Sequence, residues 1–536
     1  MTTARGAGRF GLLVSVLLSC LFAAGSAAQG GADDRKVPVE IAEIMQGPRY
    51  QGATWGLKLI DLQSGQPVTT LGSNDLFFTG SVRKLFSVGL ALKALTPEHR
   101  FVTPVYGDGE VSGGVLNGDL VLVASGDLTL GGRTTAEGTI AFTNFDHTES
   151  NALGSSILTK TDPLAGLDEL ARQVAVSGVK RIDGEVIVDD RLFDHFRVPN
   201  GNVLITPMVV NDNLIDVTIL PTEPGKPANV DWRPRTKAFT VKAEVTTVAA
   251  GEPKQLELEI SPDDPSVGIV KGQIPVGYRP DLPGVPSLVQ TFAIEDPSAF
   301  ARTAFIEALE RAGVTVSAEP TGPNRADKLP ARGSYSPDSK LSELVSLPYA
   351  QYARLILKVS HNLGANLSLM LFGLTKNART IGSALSAERE TLTGVYGLAS
   401  NGFDFPTNGS GSPDSQATPE AVTKLLAAMR DMKAGQVYFD ALPVLGVDGS
   451  LATVGKEPPD TVIAPAFGHV YAKTGTTVAK DTLKAQVFAG YIDGKSGARL
   501  AYVVYVNNVA PIAGIGDVIE VFGDEGKISA ILYERN

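Results

Sequence analysis

Two serine–lysine pairs in this sequence have a spacing that suits a nucleophile and its base. Ser81 and Lys84 lie in "GSVRKLFSVGLALKAL", and Ser177 and Lys180 lie in "VSGVKRI". Residues three apart on a helix are neighbours, so the lysine amine can reach the serine hydroxyl. A lysine whose pKa is lowered by burial can take the proton as the serine attacks a carbonyl. A helix N-terminus adds N–H groups where negative charge would develop.

The surrounding pattern separates the two pairs. The first opens a run with helical spacing, in which one stripe contains Ser81, Lys84, Leu85, Val88, Leu92 and Leu95. In the second pair, Gly178 ends a helix and a strand begins, so Ser177 and Lys180 should not share a face. We therefore predict a structural role for the second pair. The alternative for the first is a helix start with a lysine extended to solvent.

Ser360-His361-Asn362 forms a polar break between two apolar helical segments, "ARLILKV" and "LGANLSLMLFGL". Such a break can present a hydroxyl and an amide to a cleft. The alternative interpretation is that Ser360 and Asn362 cap the second helix.

Lys473-Thr474-Gly475-Thr476 follows the strand-like "GHVYA" and precedes more strand. A glycine lets the backbone come close to a ligand, and the lysine and hydroxyls can hold a carboxylate. A similar triplet, 495–497, follows Asp-Gly in a hairpin pattern and is predicted to be a solvated turn.

The sequence lacks the motifs of several classes of enzyme and of nucleic-acid-binding proteins. The chain has five histidines, no His-Glu-x-x-His, no Gly-x-Ser-x-Gly and no Gly-rich phosphate loop, so a hydrolase here would need a nucleophile activated without histidine. No metal or other cofactor is expected. The net charge of -11 and the lack of a basic run argue against nucleic-acid binding.

A chain of 536 residues is too long for one ordinary core. The first part, 29–103, contains two strand patterns joined at a Ser-Gly turn and then the helical run. Short strands and glycine turns dominate 104–334, and helices followed by strands return over 335–536. We predict an α/β domain, an antiparallel sheet with helices, that is interrupted by a β-rich insertion of one or two domains.

The N-terminus has the features of an export signal over 1–28. Arg5 and Arg9 precede "FGLLVSVLLSCLFAAG", and small residues follow before Gln29. Cys20, the only cysteine, lies in this stretch, and "LLSC" resembles a loose lipoprotein signal in which the cysteine carries lipid. No later run reaches the length of a membrane span. We expect an exported protein, periplasmic or extracytoplasmic, with a lipid anchor at Cys20 as the alternative to ordinary cleavage.

Ser-x-x-Lys, Ser-x-Asn and Lys-Thr-Gly, in this order, resemble the signature of penicillin-binding proteins and serine β-lactamases. Ser360 follows Ser81 by 279 residues, a gap similar to that of the class C low-molecular-mass penicillin-binding proteins, the D-alanyl-D-alanine carboxypeptidase/endopeptidase family. Further stretches resemble family blocks in family order: "GDLVLVASGDLTL", "GVKRIDGEVIVDD", "LPVLGVDGSL" and "AKTGTT". The resemblance covers about 40 to 536, and it implies a transpeptidase-like fold around the insertion.

The resemblance implies a role for each catalytic residue. Ser81 resembles the acylated nucleophile, Lys84 its general base, and Ser360 a proton relay toward the leaving group. The substrate would be a peptidoglycan stem peptide, cut between two D-alanines, and D-amino-acid cross-links would be cut by the same chemistry. β-Lactam antibiotics would acylate Ser81 as slow substrates.

The resemblance also implies binding roles. Asn362 would hold the substrate backbone, Lys473 and Thr474 its terminal carboxylate, and the N–H groups of Ser81 and Thr476 the oxyanion. Gly475 would permit the close approach.

Three features depart from the family pattern or extend it. His361 stands where the family usually has Asp, and we interpret it as a packing variant. "NGSGSPD" over 408–414 replaces a more usual Asp-Gly-Ser-Gly-Leu-Ser and puts the substrate's side-chain pocket in question. Asp194, in "VIVDDRLFD", is a candidate partner for a free amine on the stem peptide, the alternative being a solvated turn.

Two other functions remain as alternatives. A serine β-lactamase-like hydrolase would need fast deacylation, often with a dedicated carboxylate base, and no pattern identifies one. A non-catalytic cell-wall peptide-binding protein would not need the nucleophile and the base together.

Overall fold

The computed structural model describes residues 36–282, 284–456 and 458–536, so the predicted signal and Cys20 lie outside the described residues. The helices are α1 (Val39–Met45), α2 (Lys84–Leu95), α3 (Ser150–Leu153), α4 (Ala165–Val176), α5 (Pro297–Arg311), α6 (Tyr349–Val359), α7 (Asn362–Leu374), α8 (Ile381–Gly394), α9 (Pro419–Asp431), α10 (Gly435–Asp440) and α11 (Ile515–Arg535).

The strands are β1 (Thr54–Asp61), β2 (Pro67–Leu71), β3 (Phe77–Phe78), β4 (Val102–Ser112), β5 (Val115–Val123), β6 (Arg181–Ile182), β7 (Val186–Asp189), β8 (Phe196–Arg197), β9 (Leu204–Ile205), β10 (Leu214–Leu220), β11 (Asn229–Arg233), β12 (Thr240–Val248), β13 (Gln255–Ile260), β14 (Val267–Pro275), β15 (Leu288–Ala293), β16 (Thr315–Val316), β17 (Lys340–Val345), β18 (Phe403–Asp404), β19 (Gln416–Ala417), β20 (Val470–Ala479), β21 (Thr482–Asp493) and β22 (Arg499–Val509).

The sheet that positions the site joins the two ends of the chain. Its five strands have the order β2-β1-β22-β21-β20, and every neighbouring pair is antiparallel. Side chains alternate between its two faces, so β22 turns Val503 and Tyr505 toward one core and Tyr502 and Val504 toward another. Because both faces are covered by helices, β22 consists almost entirely of apolar residues.

Helices cover the two faces unequally. α1 and α11 pack on one face, while α2, α6, α7, α9 and α10 contribute to the larger core on the other. α2 lies at the centre of that larger core, where every residue from Lys84 to Leu92 is buried. Because this part of α2 is buried on all sides, its polar side chains need hydrogen-bond partners within the protein.

The inserted region has its own core and, among the described residues, four sheets. The largest contains β16-β6-β5-β4-β17, with β7 paired to β5, and α4 and α5 contribute to the same core. β11-β10-β15 and β12-β14-β13 form two more sheets, and β8 and β9 form a small two-stranded one. The antiparallel sheet with helices and the β-rich insertion confirm the predicted fold class.

One strand after residue 334 pairs with the largest sheet of the inserted region. β17, residues 340–345, pairs with β4, and the domain bounds 29–103, 104–334 and 335–536 stay predictions. The strand pairing, which joins residues more than two hundred positions apart, carries no local signal in the sequence.

Candidate active site

Ser81 lies in a 3₁₀ turn, Gly80–Arg83, that leads from β3 into α2. Gly80 has a φ of +46°, and a side chain there would lie 2.7 Å from the backbone nitrogen of Thr476. A side chain on Gly475 would clash with the carbonyl oxygen of Thr79 and lie 3.0 Å from the backbone nitrogen of Ser81. Two glycines therefore let β20 pack closely against the serine turn.

Lys84 is the first residue of α2 and is completely buried. Its Nζ lies 2.7 Å from Ser81 Oγ, 2.7 Å from Asn362 Oδ1 and 3.0 Å from the carbonyl oxygen of Ser410. Burial lowers the pKa of Lys84 to about 7; a nearby carboxylate, Glu149, opposes this shift and Arg83 adds to it. An amine that changes protonation near neutral pH, within hydrogen-bond reach of a hydroxyl, suits a general base.

Ser360 forms the turn between α6 and α7. It has left-handed backbone angles, φ 63° and ψ 37°, which end α6 and turn the chain directly into α7. Its hydroxyl accepts a hydrogen bond of 2.9 Å from Lys473 Nζ. The predicted polar break between two helices is confirmed.

His361 is the N-cap of α7. Its Nδ1 accepts the backbone N–H of Gly364 at 3.0 Å, and its Nε2 lies 3.0 Å from Asp212 Oδ1 in the inserted region. Nδ1 accepts, so the proton is on Nε2 and the ring donates to Asp212. The alternative interpretation gave this capping role to Ser360 and Asn362, but His361, between them, caps the helix. This arrangement supports the interpretation of His361 as a packing variant.

Lys473 is also fully buried, and it donates to the carbonyl oxygen of Thr474 at 2.6 Å as well as to Ser360. Burial holds its pKa well below the ordinary value, and the charge of Lys84 adds to this shift. The Thr474 hydroxyl donates to Ser450 Oγ at 2.9 Å, and the Thr476 hydroxyl donates to Gln486 Oε1 at 2.8 Å. This edge strand therefore brings the Lys473 amine to Ser360, while its two threonine hydroxyls bond Ser450 and Gln486.

The loop 408–414 also contacts Lys84, through the carbonyl oxygen of Ser410. Asn408 Oδ1 accepts the N–H groups of Ser410 and Gly411 at 2.8 Å and 2.7 Å, which turns the Ser410 carbonyl toward the lysine. The sequence marked this loop as a departure from the family pattern, but the contact with Lys84 is made by backbone and does not show in the residue types.

One partner of the cluster was missed by the motifs. Glu149, from the inserted region, accepts a hydrogen bond of 2.8 Å from Asn362 Nδ2. Burial raises the pKa of Glu149, and the charge of Lys84 opposes that shift. Glu149 lies in an irregular stretch without periodicity, so its only sequence signal is a carboxylate within "DHTESN".

Asp194 is not brought to this cluster. It is exposed, and its backbone N–H donates to the carbonyl of Arg379, which follows the C-terminal end of α7. Asn362 begins that helix, which is about 18 Å long at 1.5 Å per residue. The geometry supports the solvated-turn alternative for Asp194.

The duplicate motifs have structural positions. Ser177 is exposed at the end of α4, where its hydroxyl donates to the Val174 carbonyl, and Gly178 has a φ of +98°. Lys180 is exposed beyond that turn. Residues 495–497 form an exposed turn between β21 and β22. Both predictions are confirmed.

A sequence model of the D-Ala-D-Ala carboxypeptidase 3 (S13) family matches residues 37–516. The chain belongs to the S13 family. This membership confirms the predicted resemblance and the predicted enzyme class, a serine-type D-Ala-D-Ala carboxypeptidase. Within the residues that the structure describes, no helix is long and apolar enough to cross a membrane. The same residues contain no group of three or more His, Cys, Asp or Glu arranged to hold a metal ion.

Individual relatives of the S13 chain span nearly its whole length. It is 26% identical over 553 residues to the D-alanyl-D-alanine carboxypeptidase of Actinomadura sp. (strain R39), covering 96% of this chain and 90% of that protein. It is 20% identical over 482 residues to the D-alanyl-D-alanine carboxypeptidase DacB of Haemophilus influenzae, covering 85% and 86%. The crystal structure of penicillin binding protein 4 (dacB) from Haemophilus influenzae superposes with a TM-score of 0.66 at 17% identity, covering 90% of this chain and 98% of that one.

Proposed function

We propose that Ser81 is the nucleophile that forms an acyl-enzyme with peptidoglycan stem peptides. The observation that carries this proposal is the 2.7 Å distance between Ser81 Oγ and Lys84 Nζ, with Lys84 fully buried. Neutral Lys84 takes the proton of Ser81 as Oγ attacks the carbonyl carbon between two D-alanines. The backbone N–H groups of Ser81 and Thr476 then stabilise the oxyanion.

The proton delivered to the leaving amine passes through Ser360. Its hydroxyl, held by a hydrogen bond from Lys473, donates its proton to the departing D-alanine nitrogen, and the proton that Lys84 took from Ser81 replaces it. The hydroxyls of Thr474 and Thr476 and the Lys473 amine hold the terminal carboxylate. Water then hydrolyses the acyl-enzyme. Attack on a D-amino-acid cross-link follows the same steps and gives endopeptidase activity.

β-Lactams are proposed to acylate the same serine. A crystal structure of penicillin binding protein 4 (dacB) from Haemophilus influenzae in complex with a novel β-lactam superposes on this chain with a TM-score of 0.64. Export to the periplasm or another extracytoplasmic space is proposed from the N-terminal pattern in the sequence, and it agrees with a cell-wall substrate.

Intact-mass analysis after penicillin treatment tests the site. We expect a stable adduct on the wild type that is lost in Ser81→Ala. Ser177→Ala is the matched control, because it removes the serine of the second Ser-x-x-Lys pair and should keep the adduct. An unmodified wild type, or an adduct that survives Ser81→Ala, would show that the assignment of the nucleophile is wrong.

A further inference from the structure

The inserted region contributes a carboxylate to the cluster around Ser81. Glu149 ends a short turn, His147–Glu149, directly before α3, and its Oε1 accepts a hydrogen bond from Asn362 Nδ2. The other atom of the same amide, Asn362 Oδ1, accepts from Lys84. Glu149, Asn362, Lys84 and Ser81 therefore form one chain of hydrogen bonds that ends at the nucleophile.

Only one orientation of the Asn362 amide satisfies both neighbours. Protonated Lys84 has donors and no acceptor, while an ionised Glu149 has acceptors and no donor. The amide must turn its oxygen to the lysine and its nitrogen to the glutamate. Without the carboxylate, nothing on that side of the amide would distinguish nitrogen from oxygen.

A buried charge network holds the turn that carries Glu149. Asp146 caps the turn by accepting the backbone N–H of Thr148 at 3.2 Å, and Arg133 donates two hydrogen bonds to Asp146, at 2.7 Å and 2.9 Å. Arg133 also binds Asp212 at 2.6 Å, and His147 lies 2.7 Å from the same carboxylate. Charges that are buried and fully paired are costly to move, so the network fixes the position of Glu149.

The same network reaches the other side of Asn362. Asp212 accepts from His361, which precedes Asn362 and caps its helix. The inserted region therefore contacts the N-terminus of α7 through Asp212 and contacts the Asn362 side chain through Glu149. Asp212 therefore holds the backbone at the start of α7 through His361, and Glu149 holds the side-chain amide of Asn362.

We propose that Glu149 is a positioning residue for acylation, which orients the Asn362 amide toward Lys84 and sets the pH range in which Lys84 accepts the Ser81 proton. The inference rests on the proposed roles of Ser81 and Lys84. If Glu149 positions Asn362, the inserted region contributes to acylation as well as to the fold.

The charges around Lys84 determine the direction of the effect. Arg83, from the 3₁₀ turn before α2, adds positive charge near Lys84, and Glu149 is the carboxylate that opposes it; the Lys473 amine, whose pKa burial holds well below its ordinary value, also lies close. Around Glu149 itself stand Lys84, Lys473, His361 and Asp146. Replacing Glu149 by a neutral residue removes the carboxylate that opposes burial and Arg83, so the pKa of Lys84 falls further. Lys84 then stays neutral, and able to accept a proton, at lower pH.

The test is the pH dependence of acylation by a chromogenic β-lactam, measured by stopped flow on the full chain. Glu149→Gln keeps an acceptor for Asn362 and removes the charge. The acid limb of its pH profile, where the acylation rate falls, should move to lower pH by about one unit. Glu149→Ala removes both the acceptor and the charge, and it should also lower the maximal acylation rate by about tenfold. Glu149→Asp keeps the carboxylate, so the acid limb of its pH profile should lie close to that of the wild type. Glu169→Gln is the matched control, because Glu169 pairs with Arg172 on α4 in the same region.

Two failures are distinguishable. A wild type that is not acylated at Ser81 overturns the proposed function. A wild type that is acylated, with an acid limb that Glu149→Gln leaves in place, overturns the role of Glu149 alone. A uniform loss of rate in all three Glu149 variants, with no movement of the limb, is the result of a merely structural residue and also overturns it.

Discussion

Lys473 Nζ donates a hydrogen bond of 2.9 Å to Ser360 Oγ, although the two residues lie 113 positions apart in the chain. Ser360 belongs to a turn between helices, and Lys473 belongs to the edge strand of the central sheet. This bond holds the serine hydroxyl in place, as the proposed relay to the leaving amine requires.

Ser360→Ala should therefore impair transfer of the leaving amine's proton. General acid–base groups contribute about 10²–10⁴-fold to rate, so we expect kcat/KM for a D-Ala-D-Ala peptide to fall by at least about 10²-fold. The measurement is release of D-alanine by the purified variant. Ser496→Ala, in an exposed turn, is the control and should retain full activity. Wild-type turnover in Ser360→Ala would contradict the relay.

The pH dependence of acylation in the wild type should follow the protonation of Lys84. Its pKa, lowered by burial to about 7, means that the neutral base predominates above about pH 7. Below that pH the amine is protonated, so the acylation rate should fall about tenfold per pH unit. Lys84→Arg, which stays protonated, should abolish acylation at every pH. A rate that stays constant down to about pH 5 would exclude Lys84 as the base.

Gly475→Ala should reduce acylation by moving β20 away from the serine turn. Its Cβ would clash with the carbonyl of Thr79 and crowd the backbone nitrogen of Ser81, so β20 must move away from the serine turn. We expect a loss of at least about 10²-fold in acylation, the size seen when an oxyanion-hole donor is removed. Gly523→Ala is the control, since it lies inside α11 with open space around it and should gain up to about 1 kcal/mol in the free energy of unfolding. Equal acylation by the two variants would contradict the close approach.

His361→Asp, which introduces the usual family residue, should destabilise this protein. The new carboxylate would be a buried charge facing Asp212, and Asp212 Oδ1 would lose the hydrogen bond that it now accepts from His361. A buried charge without its partner costs about 3 kcal/mol or more, measured as the free energy of unfolding in denaturant. His361→Asn, a neutral residue that still caps a helix, should cost less. An equally stable His361→Asp variant would show that Asp212 does not depend on the histidine.

The sequence predicted the parts of the site that have local patterns. Helical spacing singled out Ser81 and Lys84, Gly178 excluded the second pair, and the break at 360–362 was readable from the apolar segments on either side. Glu149 was not predictable, because its approach to Asn362 depends on an ion network between segments about 60 to 80 residues apart in the chain. The contact of Lys84 with the Ser410 carbonyl was hidden for another reason: backbone acceptors leave no trace in residue type.

The pairing of β1 with β22 has a consequence for how the enzyme comes into being. Thr54 lies opposite Asn507 and Asp61 lies opposite Leu500, so the central sheet needs both the first and the last strands of the chain. Such a contact closes one of the longest loops available to this polypeptide, and it cannot form while the C-terminal segment is still being synthesised. Penicillin reactivity should therefore be absent from nascent chains that stop before residue 499 and appear only in the completed chain, which gives a direct assay for the moment of folding.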